Sequence, residues 1–407
     1  MSEGALSARI SDAPGDPIFG IVELFRADPR PHKINLAAGV YMDEQGVTPI
    51  LPSVRAAEER LLASTTSKLY MPIGGDPAYL AAAKSLLFRT VGGAWGEIEP
   101  TAADRVQMIH TPGGTGAVRL AVDLVSRLRP GAEIWVGEPT WPNHTQIIES
   151  ARITARRHDW ITDDARSLNT SALFDAIAAA KGGDAMILHG ACHNPTGIDP
   201  TPEQWNEIAQ LIAHRGILPI LDFAYQGFGE GLIEDAASLR AFLATGCEVL
   251  VASSSSKNFA LYNERVGSLA IIGTDTAAAS SIASHARMAV RTMWSNPPAH
   301  GGAIVSTILG DASLRVQWEG EVTAMRTRIK ESRVTLATAL TAAGAGDFSY
   351  LLQHHGMFSL LGLTDDQLKR LRDEHAVYLV ARGRINMAGL SATKIPIVAK
   401  AVASVLT

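Results

Sequence analysis

Five short apolar runs, each followed by a turn and most of them by a helical pattern, constrain this chain more than any other feature. They span residues 106–110, 133–137, 185–189, 218–221 and 248–252. Continuous apolar runs of this length suit strands buried on both faces. Repeated strand–helix units imply a mostly parallel sheet with helices on both sides, an α/β architecture. Between the third and fourth runs the helix start is spelled out. Thr201 suits the N-cap, Pro202 the first helical position, and Gln204 closes a capping box. Open sheets of this class bind ligands outside the carboxyl ends of their strands, so the polar residues just beyond each run become the candidates for chemistry.

At 407 residues the chain exceeds one ordinary core, and two lobes are expected. A polar arm covers residues 1–16. The larger lobe takes residues 49–314, and a smaller α+β lobe is assembled from 17–48 and 315–407. Helices are expected at 18–26, 51–64, 79–91, 117–128, 312–343 and 393–406, with another capped by Thr364. INLAAGVY, residues 34–41, reads as a strand entering a turn at Gly39, and residues 357–363 belong to the smaller lobe. A net charge of −5 argues against a general nucleic-acid binder. Cys192 and Cys247 are too few for a disulfide framework, and the first twenty residues contain no apolar run. A cytoplasmic enzyme without a membrane anchor is the expectation.

Four of the runs deliver polar residues to one edge. Trp141, Pro142, Asn143 and His144 follow the second; His193, Asn194, Pro195, Thr196 and Gly197 follow the third. Asp222, Ala224 and Tyr225 follow the fourth. The fifth leads through serines to Lys257, with Arg265 eight residues beyond. Gly113-Gly114-Thr115-Gly116, after the first run, opens a helix whose free N–H groups suit a phosphate. Taken singly, each has a plain explanation. S-x-K is ordinarily a solvated loop lysine, H-N-P-T-G is good turn chemistry, and a glycine turn needs no ligand. Together at one crevice they fit a pyridoxal phosphate site. A lysine amine forms the Schiff base that holds this cofactor, and a buried carboxylate such as Asp222 keeps its ring nitrogen protonated. His144 then orients the carboxylate, Tyr225 and Asn194 donate to the phenolic oxygen, and Trp141 stacks on the ring.

The segments INLAAGVY, TPGGTGA, TWPNH, HNPTGIDPT, DFAYQGF, SSSSKNFALYNERVG, SNPPAHG, GMFS and GRINMAGL carry a resemblance that runs from about Asp16 to the C-terminus. The chain resembles the class I aspartate/aromatic aminotransferases, pyridoxal phosphate enzymes of fold type I. The resemblance implies Lys257 as Schiff-base lysine and catalytic base, Asp222 on the pyridine nitrogen, and Tyr225 and Asn194 on the phenolic oxygen. It implies a phosphate cup of Gly114, Thr115, Ser254, Ser256 and Arg265. Tyr70 matches a tyrosine that reaches the neighbouring subunit's phosphate, so a homodimer with shared sites is implied. Arg384 matches the clamp on the substrate α-carboxylate, Gly39 the backbone closing over it, and Arg291 the neighbour's arginine for a distal carboxylate. Two positions depart from the pattern. Ser255 stands where an aromatic residue is usual and Ala260 where glycine is usual, so altered packing behind the cofactor is expected rather than lost chemistry.

The reaction so implied is a ping-pong transamination, the cofactor cycling between pyridoxal phosphate and pyridoxamine phosphate. Leu69 and Met42 give the rim an aromatic-preferring look, whereas Thr115 and Asn296 look aspartate-specific. An aromatic aminotransferase working with 2-oxoglutarate is the primary expectation, and an aspartate aminotransferase the alternative. The same fold also hosts decarboxylases, β-lyases and racemases, but two carboxylate clamps, Arg291 and Arg384, favour transamination. A catalytically silent binding protein is disfavoured by an intact Lys257, Asp222 and Arg384.

Overall fold

The computed structural model describes Gly15 and residues 17–406; apart from Gly15, the expected polar arm lies outside the described residues. Its centre is a seven-stranded sheet. From edge to edge the strands run Val106–Pro112, Val266–Ile272, Val249–Ser254, Leu218–Phe223, Ala185–His189, Ile134–Glu138 and Ala155–Asp159. All pair in parallel except Val266–Ile272, which is antiparallel to both neighbours. Every residue of Ala185–His189 and Leu218–Phe223 is buried, the polar His189 and Asp222 near their carboxyl ends included, as suits central strands covered on both faces. The sheet is therefore α/β and mostly parallel, and the five expected runs are five of its strands.

Two strands of this sheet went unforeseen. Ala155–Asp159 reads ARRHD and exposes three of its five residues. An edge strand meets only one neighbour, and its charges blunt the open side. Val266–Ile272 is wholly buried but follows Lys257 too closely for a helical crossover. A short connection permits only antiparallel return.

Helix bounds follow local chemistry. Asp76 accepts the Ala78 N–H and Pro77 takes the first position, so the helix expected at 79–91 runs Pro77–Leu87. The glycine turn at 113–116 is itself the first turn of the helix Gly113–Leu128. Both capping boxes form, Thr201 with Gln204 and Thr364 with Gln367. Of INLAAGVY only Ile34–Asn35 is strand, paired in parallel with Val377–Tyr378. The remainder is held by Asn386, whose Nδ2 donates to Ala38 O and Val40 O, each at 2.7 Å.

Ala312–Ala342 buries Leu314, Trp318, Val322, Met325, Ile329 and Leu336 at helical spacing. Trp318 stacks on Phe259 at 4.4 Å and donates its indole N–H to Asn258 O at 2.8 Å. The long helix thereby grips the two residues that follow Lys257.

Candidate active site

The carboxyl ends of the parallel strands converge on a pocket of about 460 Å³. Gly39, Gly114, Thr115, Trp141, Asn194, Asp222, Tyr225, Ser254, Ser256, Lys257 and Arg265 line it, together with His189. Apart from Gly39, which follows Ile34–Asn35, they come from the ends of several strands of one sheet, which is why residues separated by up to 226 positions meet.

Lys257 Nζ donates to Gly39 O at 3.0 Å and lies 4.8 Å from the Tyr262 ring and 5.8 Å from that of Tyr225. Burial, then the charges of Arg265 and Arg384, bring the amine down to about 8. A lysine so placed is a usable nucleophile and base near neutral pH. Asp222 is 4% exposed, and its Oδ2 lies 3.0 Å from Nε2 of the fully buried His144. The Thr140 hydroxyl is 2.9 Å from Nδ1 of the same ring. His144 therefore stands behind Asp222 rather than lining the pocket. Asn194 Nδ2 donates to the Tyr225 hydroxyl at 3.3 Å, and burial followed by Asp222 pushes that hydroxyl well above its ordinary range. Arg384, 3% exposed, donates to Asn194 Oδ1 at 3.5 Å and to Ala37 O at 2.5 Å, with Phe358 4.5 Å from its guanidinium carbon.

The donor set fits pyridoxal phosphate. The helix Gly113–Leu128 has no side-chain cap on its first N–H groups, and the hydroxyls of Thr115, Ser254 and Ser256 and the Arg265 guanidinium share the pocket with it. A Cβ on Gly113 would come within 2.5 Å of Arg265 Nη2, so the glycine clears space for the guanidinium. One anion site, one lysine and one buried carboxylate are the three features this cofactor requires.

Other expected residues stay outside this pocket. Tyr70 is 93% and Leu69 85% exposed. Arg291 is exposed at the end of Thr276–Met293 and donates to Ser295 Oγ. Asn296 Nδ2 donates to Met71 O at 2.5 Å, which ties the Leu69–Tyr70 segment to the end of the Arg291 helix. Met42 is bound through its backbone, donating to Ala388 O and accepting from Arg328.

Sequence reasoning missed His189. It lies 5.0 Å from His144 and 4.3 Å from His193, which stacks on Trp160 at 4.5 Å. Burial first, then His193 and His144, hold its imidazole well below the ordinary value. Its signal was a polar residue closing a wholly apolar run. Tyr262, five residues beyond Lys257, carries no such signal in the sequence. Of the two departures, Ser255 borders a small internal cavity of about 20 Å³ lined also by Tyr79, Gln226 and Asn258. Ala260 adopts φ 53°, the left-handed region in which glycine is unstrained.

The family model for aminotransferase class I and II matches residues 31–402. The chain is 46% identical to the aspartate aminotransferase of Salmonella typhi over 98% of its own length and 99% of that protein. It is 42% identical to the aromatic-amino-acid aminotransferase of Pseudomonas aeruginosa, over 98% of each. A solved aromatic-amino-acid aminotransferase from Burkholderia pseudomallei, covalently bound to pyridoxal phosphate, superposes with a TM-score of 0.94 at 40% identity. The alignment covers 99% of this chain and all of that one.

Proposed function

We infer that this chain, which belongs to the class I and II aminotransferases and is a pyridoxal phosphate-dependent enzyme, moves an amino group between an aromatic L-amino acid and 2-oxoglutarate or another 2-oxo acid. The convergence of Lys257, Asp222 and the phosphate donors on one pocket supports this most strongly.

When bound, pyridoxal phosphate supplies an electron-poor ring that accepts the electrons left when the substrate Cα loses its proton. The protein's own groups do the rest. Thr115, Ser254, Ser256, Arg265 and the N–H of Gly114 bind the phosphate. The Asp222 carboxylate, oriented by His144 and Thr140, keeps the ring nitrogen protonated, and Tyr225 and Asn194 donate to the phenolic oxygen. Trp141 covers the ring face. Arg384 binds the α-carboxylate, with the Gly39 backbone closing over it. Lys257 Nζ would take the substrate Cα proton and deliver it across the amino nitrogen to the carbon on the cofactor's side. A second oxo acid reverses the sequence, giving ping-pong kinetics.

On specificity, the apolar Leu69 and Met42 favour a ring, which gains roughly 25 cal/mol per Å² of apolar area buried. The second reading, aspartate with 2-oxoglutarate, is favoured by Thr115 and Asn296. Overall identity does not divide the two, since relatives of both names match nearly equally. Tyr70, Leu69 and Arg291 are exposed and lie outside the lining of their own chain's pocket, and this supports a homodimer in which each serves the neighbour's site. Residues 49–314 would then form the cofactor-binding lobe, and 17–48 with 315–407 the smaller one. Among the described residues no helix is long and apolar enough to cross a membrane, and the proposed location is the cytoplasm.

An amino-donor panel with 2-oxoglutarate tests this, comparing aspartate, tyrosine, phenylalanine and tryptophan by kcat/KM. Aromatic donors matching or exceeding aspartate are expected. Negligible aromatic turnover would establish the aspartate reading. Carbon dioxide, ammonia or a D-amino acid as main product would overturn transamination.

A further inference from the structure

We propose that Tyr262 is a positioning residue that latches the Gly39 segment over the site and keeps it there when Lys257 is occupied with chemistry. The proposal rests on the transamination reading above and adds a residue to it.

Three contacts close a ring, and a fourth ties it to Arg265. Lys257 Nζ donates to Gly39 O at 3.0 Å and faces the Tyr262 ring at 4.8 Å. The Tyr262 hydroxyl accepts the N–H of Tyr41 at 2.8 Å, two residues beyond Gly39. Tyr262 also ties back to the phosphate donors, because its carbonyl accepts from Arg265 Nη1 at 3.0 Å. One side chain thus touches the lysine with its face and the Gly39 segment with its hydroxyl, while its backbone braces Arg265.

The two links made by Lys257 depend on its charge. An ammonium is attracted to an aromatic face and donates strongly to a carbonyl. A lysine that is to accept the substrate's Cα proton must be neutral, and then both links weaken. Tyr262 Oη to Tyr41 N is a bond between uncharged groups and is indifferent to that change. Elsewhere the segment is anchored by Asn386 on Ala38 and Val40 and by Arg328, which donates to Met42 O and lies over the Tyr41 ring. Tyr262 is accordingly the tie between the Gly39 segment and the lysine loop that survives loss of the lysine's charge.

Tyr262→Phe keeps the ring and removes the acceptor; Tyr262→Leu removes both. The first readout is independent of turnover: hydrogen exchange of the Tyr41 amide in cofactor-free protein. Faster exchange at Tyr41 is expected in both variants, with the amides of Val249–Ser254 unchanged. In the cofactor-loaded enzyme Tyr262→Phe should lower amino-acid kcat/KM roughly three- to tenfold, the worth of one hydrogen bond. In cofactor-free protein Tyr262→Leu, but not Tyr262→Phe, should lower the pH midpoint of Lys257 labelling, because only the former removes the ring that favours the ammonium. Unaltered Tyr41 exchange, with or without a loss of kcat/KM, would overturn the latch. A wild type that does not transaminate would sink the reaction assignment, whereas the exchange result would still decide the contact between Tyr262 and Tyr41.

Discussion

His144 Nε2 stands 3.0 Å from Asp222 Oδ2, with the imidazole wholly buried and the carboxylate 4% exposed. A carboxylate in such a place is expensive to leave unpaired, and the imidazole, itself held by Thr140, fixes its orientation toward the pocket. The pair defines where a positive charge opposite it must lie.

Asp222→Asn is expected to lower kcat by several orders of magnitude while changing cofactor retention far less. A neutral amide cannot hold a ring nitrogen protonated. His144→Asn removes one hydrogen bond to a charged group, a loss of about 1.5–3 kcal/mol or roughly 10- to 150-fold. Single-turnover rates of both variants check this. An Asp222→Asn effect below about tenfold would mean that another residue sets the ring's protonation.

Lys257 in the cofactor-free protein should react with an amine-directed reagent along a titration centred near 8 rather than the ordinary 10.5. Only the neutral amine is nucleophilic, so reactivity rises with pH and the lowered midpoint moves that rise to lower pH. Peptide mass spectrometry across a pH series gives the midpoint. A value above 10 would show that burial, Arg265 and Arg384 do not act on the amine as the geometry implies. Lys257→Ala should abolish turnover and leave a folded protein that still holds the cofactor non-covalently.

Arg291→Leu should divide the substrates. A distal carboxylate entering a closed site needs a partner, and removing one member of a buried charge pair costs about 2–5 kcal/mol, or roughly 30- to several-thousand-fold. Aspartate and glutamate should lose that much kcat/KM, with phenylalanine and tyrosine spared. Each half-reaction must be measured separately, so that the dicarboxylic co-substrate does not mask the outcome. Equal losses in both classes would assign Arg291 to the fold or the assembly.

Ala260→Gly should stabilise the protein. At φ 53° a Cβ costs about 1–2 kcal/mol, and the extra freedom of glycine in the unfolded chain returns about 0.4–1 of it. A net gain of roughly 0.5–1 kcal/mol is expected by denaturant titration, without a change in kcat. A loss of stability would mean that the methyl group's packing outweighs its backbone strain.

Much of the sheet was legible because a strand buried on both faces is apolar along most of its length, with polar residues kept to the end that meets the site. AMILH and LPILDF leave little else open. ARRHD was illegible for the converse reason: an edge strand is specified by its neighbour's hydrogen bonds, not by its own side chains. The helix starts at Thr201 and Thr364 were readable since a cap is a contact over three residues.

The candidate site divides the same way. Residue chemistry and the order of the strands by themselves determined that Lys257, Asp222, Asn194, Tyr225 and the phosphate donors belong to one crevice, because parallel strands deliver their carboxyl ends to one edge. Only the tertiary structure decided that Gly39 accepts from Lys257, that His189 joins the pocket wall, and that Tyr262 reaches Tyr41. The two hydrogen bonds link positions 218 and 221 residues apart, where no periodicity marks which side chains meet. That Tyr70 and Arg291 are exposed outside the pocket was likewise decided in three dimensions, where the Thr276–Met293 helix ends and Asn296 bonds Met71. A local pattern records what a backbone needs from its near neighbours; direction across the molecule depends on how finished elements pack.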